Sequence, residues 1–239
     1  NYNIDSFFIK ANTVEDQLEI DQLIIRNLND EIEIKGKIEN LFKDINAQLD
    51  INFKKFSLST FSNFINKSIE EFAPRSFKIS QFENGNLVNT QLSFLYNNND
   101  IVIKKLNGKL VDANITLEND TKVKLDQTSI SLQKNNKIIL ELKNLFLNKE
   151  ENTILLSNNL IELDNVYDFN TRSFLLNSNI NVEFAKLLKF LYAFEEFTAK
   201  NFKEDFFNGN IDSNLIISYS PNAQDKFSYS LSGKINNFN

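Results

Sequence analysis

Ile32-Glu33-Ile34-Lys35-Gly36-Lys37-Ile38 is the stretch whose reading decides the fold: three isoleucines and a glycine alternate with a glutamate and two lysines. A period of two places successive side chains on opposite faces of an extended strand, so this strand has one apolar face and one wet face. The pattern returns along the chain. Leu49, Ile51 and Phe53 alternate with Asp50, Asn52 and Lys54. Further apolar sets with the same spacing are Val123 and Leu125; Ile130 and Leu132; Ile138, Leu140 and Leu142; Leu215 and Ile217; and Phe227, Tyr229, Leu231, Gly233 and Ile235. Short polar turns separate them, such as Asn97-Asn98-Asn99-Asp100, Glu118-Asn119-Asp120 and Lys134-Asn135-Asn136. These spacings suit antiparallel neighbours joined by hairpins, not parallel strands joined by helices. The sequence therefore predicts a mostly β chain, a long antiparallel meander of about a dozen strands. Only two prolines occur in 239 residues, so few strands are interrupted.

Gly36 belongs to a recurring phrase. All five glycines of the chain are followed by Lys or Asn and then by Ile or Leu: Gly36-Lys37-Ile38, Gly85-Asn86-Leu87, Gly108-Lys109-Leu110, Gly209-Asn210-Ile211 and Gly233-Lys234-Ile235. Average usage would put roughly 17 glycines in a chain of this length, so these few are used positionally. At such points glycine permits a bulge or a bend, having no side chain to clash.

Two segments break the alternation and read as helices. Over Ser59 to Ala73, Phe61, Phe64, Ile65, Ile69 and Phe72 recur at three- and four-residue spacing, with Ser59 as N-cap and Pro74 as stop. From about Phe184 to Lys203, Leu187, Phe190, Leu191, Phe194 and Phe197 share one face, and Lys186, Lys189, Glu196, Lys200 and Lys203 the other. The surroundings match as well. The phrase N-x-x-[LI]-[DN]-[IV]-x-F-x-K precedes both, at Asn46 to Lys55 and at Asn177 to Lys186; F-x-N-G-N-[LI] follows both, at Phe82 to Leu87 and Phe206 to Ile211. This is the signature of a duplicated module, and repeat architectures bury each unit against its neighbours. The boundaries fall at 1–58, 59–183 and 184–239, the last read as a module cut short in a piece of a longer protein.

Composition excludes several chemistries. The chain has no His, Cys, Met or Trp, which removes imidazole and thiolate metal ligands and the Ser-His and Cys-His arrangements. Gly36-Lys37-Ile38 and Gly233-Lys234-Ile235 lack the second glycine and the Ser or Thr of a phosphate loop. Asp100 and Asp120 stand in turn-forming Asn clusters without the acidic spacing of a calcium loop. Glu70-Glu71 and Glu195-Glu196 are adjacent helix positions that point apart. A net charge of -6 argues against a nucleic-acid partner, which calls for a basic face. No enzymatic activity, cofactor or metal is expected.

The alternating strands, with phrases such as Leu106-Asn107-Gly108-Lys109-Leu110 and Leu231-Ser232-Gly233-Lys234-Ile235, resemble the AsmA-like proteins of Gram-negative envelopes. The stretch from Leu187 through Phe206-Phe207-Asn208-Gly209-Asn210-Ile211 to Ile235 is similar to the part of the YhdP and TamB type where a helix leads into an N-x-G-x-[IL] strand. The resemblance implies a strongly curved, open β-groove, a half-pipe built from repeated modules. It also implies a periplasmic protein anchored in the inner membrane through other parts of the full-length chain, carrying phospholipid between inner and outer membrane. In that setting 1–58 is the end of one groove module, 59–183 a helix followed by a β-meander, and 184–239 a helix and the start of the next module. Gly36, Gly108 and Gly233 are then points of curvature.

The groove candidates are Ile130, Leu132, Ile138, Leu140, Leu142, Leu215, Ile217, Phe227, Tyr229 and Leu231. For each the plainer role is core packing against another sheet or helix. Two other readings stay open: a β-sandwich or jelly-roll surface or adhesive protein with a closed core and a protein partner, and a carboxylate-based hydrolase, which needs two carboxylates converging in a cleft.

Overall fold

The structure, a computed structural model, describes residues 4–27, 30–42, 44–61, 79–97, 100–117, 120–133, 136–149, 152–165, 172–192, 209–222 and 227–236. It is mostly β: a single antiparallel sheet of 13 strands. In chain order these are β1 (Ser6–Val14), β2 (Gln17–Arg26), β3 (Glu31–Glu39), β4 (Asn46–Ser57), β5 (Ile79–Asn97), β6 (Asp100–Leu117), β7 (Lys122–Leu125), β8 (Thr128–Gln133), β9 (Lys137–Lys149), β10 (Asn152–Asp164), β11 (Ser173–Glu183), β12 (Asn210–Tyr219) and β13 (Phe227–Asn236).

Spatial order follows chain order. The single departure is a broken strand: β7 pairs one part of β6 and β9, β8 pairs another part of the same two strands, and Asp126-Gln127 separates them. The meander thus has twelve rows, in line with the dozen strands expected. Pairing between consecutive strands is what short polar turns favour. No Greek-key or jelly-roll crossing occurs among the described residues.

The register gives the sheet two distinct ends. At one end lie the β1–β2, β3–β4, β5–β6, β8–β9, β10–β11 and β12–β13 connections. At the other lie the remaining ones, including both long connections, β4 to β5 and β11 to β12. We call these the turn end and the helix end.

The two expected helices are modified. Within Ser59 to Ala73 the described residues form only the tail of a 3-10 turn, Leu58–Phe61, because β4 runs on to Ser57 and the chain turns tightly as it leaves the sheet. The rest of that segment lies outside the described residues. The second segment begins as read, at Phe184, and is helical over Phe184–Tyr192 (α1); its continuation to Lys203 lies outside the described residues. Among the described residues α1 is therefore the one α-helix. The amide of its first residue donates to the carbonyl oxygen of Gly209 at 2.9 Å, tying the helix start to the start of β12.

The core centres on β6 to β12. Ile154, Leu156, Ile180 and Ile211 are closed off from solvent together with Leu187 of α1, which packs over β10 and β11. Full burial of such a side chain contributes about 1.5–3 kcal/mol. The opposite face carries charge pairs between neighbouring rows. Glu31 accepts from Arg26 at 3.0 Å and from Lys54, joining β2, β3 and β4, and these two cations, Arg26 foremost, hold its carboxyl below the usual range. Lys137 pairs Glu162 at 2.7 Å and Asp164 at 3.3 Å, and its ammonium is pushed above the usual lysine range, first by Glu162.

Glycine matters most at Gly36. Its φ of +147° is left-handed, and a Cβ there would collide with the carbonyl oxygen of Gln48 on β4. At Gly108 a Cβ would strike Thr90 on β5. Gly85 lies inside β5, not ahead of it.

Candidate apolar binding face

Residues directly opposite in an antiparallel pair share a face, so the register reveals which side chains stand together. One row reads Gly108–Ile130–Leu140–Ile161–Leu176–Ile217–Tyr229, from β6 to β13. Another reads Ala113–Leu125–Leu145–Leu156–Ile180–Ser213–Gly233. On the first rows the same face carries Ile9–Leu23–Ile34–Ile51–Leu92–Leu106. An apolar face thus runs through every row of the sheet. No Asp, Glu, Lys or Arg stands in these rows; the ion pairs described above lie on the other face.

All ten candidate residues fall on this face by register, but not in one environment. Ile130, Leu132, Ile138 and Leu140 are half-buried neighbours on β8 and β9. Leu142, Leu215 and Ile217 are closed into the core at 4%, 4% and 7% exposure. Tyr229 and Leu231 are exposed, at 51% and 40%, on the edge strand β13, where Phe227 pairs Tyr219.

A feature that the period of two conceals crosses the sheet. In six consecutive rows the inward residues come three apart instead of two: Phe53 and Phe56, Leu87 and Thr90, Leu110 and Ala113, Leu125 and Thr128, Leu142 and Leu145, Leu156 and Asn159. The two residues between each pair lie toward the polar face, for example Asp126-Gln127, Lys143-Asn144 and Ser157-Asn158. From β6 to β10 these slips stand in register, and β4 and β5 share theirs one step away, since Leu87 pairs Leu110. They form a crease across the strands.

Local chemistry explains three of the six slips. Asn89, Asp112 and Asn158 have φ of 48°, 54° and 52°, a left-handed conformation that Asn and Asp tolerate best after glycine. The backbone groups loosened there are met by the next inward side chain. Thr90 and Thr128 each donate to the carbonyl two residues back, Val88 and Asp126, at 3.2 Å. Asn159 donates to the carbonyls of Leu156 at 3.0 Å and Leu142 at 3.3 Å, and accepts from Ser178 Oγ at 2.7 Å. All four of these polar residues are buried. Paired in this way, they avoid the penalty of roughly 1–3 kcal/mol for a buried unsatisfied group.

The crease divides the apolar face in two. On the helix side, Leu117, Leu125, Leu145, Ile154, Leu156, Ile180 and Ile211 are buried, with α1 packed over β10 and β11. On the turn side, Leu110, Leu142 and Leu215, which border the crease, and Ile217 and Ile20 reach that burial among the described residues. Their companions Ile34, Ile51, Leu92, Leu106, Ile161, Leu163, Phe174 and Leu176 remain half-buried. None of these eight figured among the sequence candidates, and the three-residue spacing between inward positions is the signal that would have located the dividing line.

On the polar side the crease forms an open depression of about 830 Å³, where Asp112, Asp126 and Glu141 meet Gln127, Lys143 and Asn144. Asn144 donates to Asp126 Oδ2 at 3.2 Å. No cluster of three metal-ligating side chains occurs among the described residues, and no described helix is long and apolar enough to cross a membrane. No family model matches the chain, and neither a curated protein nor a solved structure matches it.

Proposed function

We propose that this chain is a segment of an AsmA-like envelope protein that shields phospholipid acyl chains on an apolar β-face between inner and outer membrane. The periplasmic location, and an inner-membrane anchor in parts of the protein beyond this chain, belong to the same proposal. The observation that carries it is the charge-free apolar face that continues row after row through the sheet, with Phe7 and Ile9 exposed on β1 and Tyr229, Leu231 and Ile235 exposed on β13. In this reading the bulged rows and the tight contacts at Gly36, Gly108 and Gly233 bend the sheet into an open groove. The matched segments, Ser59 to Ala73 and Phe184 to Lys203, are repeats in this reading, and the strands that lead toward them, β4 and β11, both end at the helix end of the sheet.

The work done is physical. Each acyl methylene removed from water is worth about 0.8 kcal/mol, and neighbouring rows offer similar surfaces, so a chain can slide from one row to the next at little cost. No side chain acts as acid, base or nucleophile, and no cofactor takes part. Native mass spectrometry of the chain purified without added detergent tests the reading. Bound phospholipid is the expected result, and a chain that stays lipid-free even after incubation with phospholipid vesicles counts against it.

A further inference from the structure

We infer that the two sides of the crease divide the labour: the helix side is permanent core, and the acyl chain occupies only the turn-side lane, entering from the turn end of the strands. This rests on the lipid reading given above and makes it specific. On the helix side the apolar face already has a protein cover, since Ile154, Leu156 and Ile180 are each 1% exposed and pack with Leu187 of α1. A ligand there would have to displace this packing.

The turn-side lane differs in three respects. Most of its side chains, Leu140 and Ile161 among them, stay half-buried in the folded chain. Both long connections leave from the opposite end of the strands, and short connections bound the lane at the turn end. Its inner border is the row where Thr128, Asn159 and Ser178, their hydrogen bonds made within the protein, alternate with the buried Leu110, Leu142 and Leu215.

Dimensions and charge name the occupant. Residues 137–142 of β9 span the lane from its rim to the crease, about 20 Å at about 3.3 Å per residue. One leaflet of a bilayer core is about 15 Å deep, so an acyl chain fits between rim and crease. With no charged side chain on the lane, a charged peptide finds no partner, while a hydrocarbon chain finds apolar contact on every row.

The experiment uses the full chain, unsubstituted, loaded with a phosphatidylethanolamine bearing a photoreactive diazirine in its acyl tail, and maps the adducts by tandem mass spectrometry. Adducts on turn-side residues such as Ile51, Leu140 and Ile161 are expected to exceed those on Leu145, Ile154 and Ile180 by at least roughly tenfold, the ratio that about 1.4 kcal/mol sustains. Adducts shared equally between the two sides, or concentrated on Ile154 and Ile180, overturn the lane assignment and leave the lipid reading standing. Absence of adducts anywhere, with no lipid retained, overturns both.

Discussion

Replacing Asn159 by alanine probes the crease at its most connected point. The side chain is 3% exposed and makes three hydrogen bonds: two donated to the carbonyls of Leu142 and Leu156, and one accepted from Ser178. A net hydrogen bond is worth about 1 kcal/mol, and a buried group left unpaired costs roughly 1–3 kcal/mol, so Asn159→Ala should destabilise by about 2–4 kcal/mol. Ser178→Ala removes one of the three bonds and should cost about 1 kcal/mol. Because both act on the same contact, the double variant should fall short of the sum of the singles by roughly 0.5–1.5 kcal/mol. Urea unfolding followed by far-UV circular dichroism is the suitable assay, since the chain has no tryptophan. The slope of free energy with urea should be unchanged, since the sheet stays intact. A cost for Asn159→Ala within about 0.5 kcal/mol, the range of ordinary surface substitutions, would refute the reasoning, as would strict additivity.

Three further outcomes follow from the same structure. Ile154→Ala, on the covered side, should destabilise by about 2–5 kcal/mol, whereas Leu140→Ala, half-buried in the open lane, should cost about 1 kcal/mol; equal losses by denaturant titration would mean that both sides are covered. Gly36→Ala forces a side chain into a left-handed position against Gln48 and should cost at least about 1–3 kcal/mol, so an unchanged midpoint would contradict the close approach of β3 and β4. Glu31 has its carboxyl lowered by Arg26 and Lys54, so its stabilising effect is fully present above the ordinary glutamate value near about 4.3 and is lost as pH falls through the lowered one. Glu31→Gln should therefore flatten the acid limb of the stability profile, less so at high salt; parallel profiles for the two proteins would refute the role of the clamp.

The fold was legible where apolar and polar residues alternate without interruption. Ile32 to Ile38, Ile138 to Leu142 and Leu215 to Ile217 gave strands whose inward positions the register reproduces. The start of α1 at Phe184 was legible because apolar spacing changes there from two to three and four. What alternation hid is the crease. A left-handed Asn or Asp shifts the inward phase by one residue, and a strict period of two then reads Leu110 and Ala113, or Leu156 and Asn159, as unrelated positions. The separation of core from open face was equally hidden, since Leu142 and Leu140 are alike in sequence and differ only in distance from that line, Leu142 bordering it and closed in, Leu140 one step nearer the turn end and half-buried. The phrase Phe82 to Leu87 follows a helical segment in the sequence, yet Gly85 lies inside a strand that begins at Ile79.

The claim on which the rest depends is that the turn-side apolar face holds lipid in the living cell. Photo-crosslinking from a benzophenone amino acid placed at Leu140, and separately at Leu231, tests it most directly, because both positions stand on that face and neither is closed into the core. Ultraviolet-dependent phospholipid adducts at both positions are expected. Complete absence of lipid adducts at both, in protein that is folded and present at normal levels, would contradict the claim.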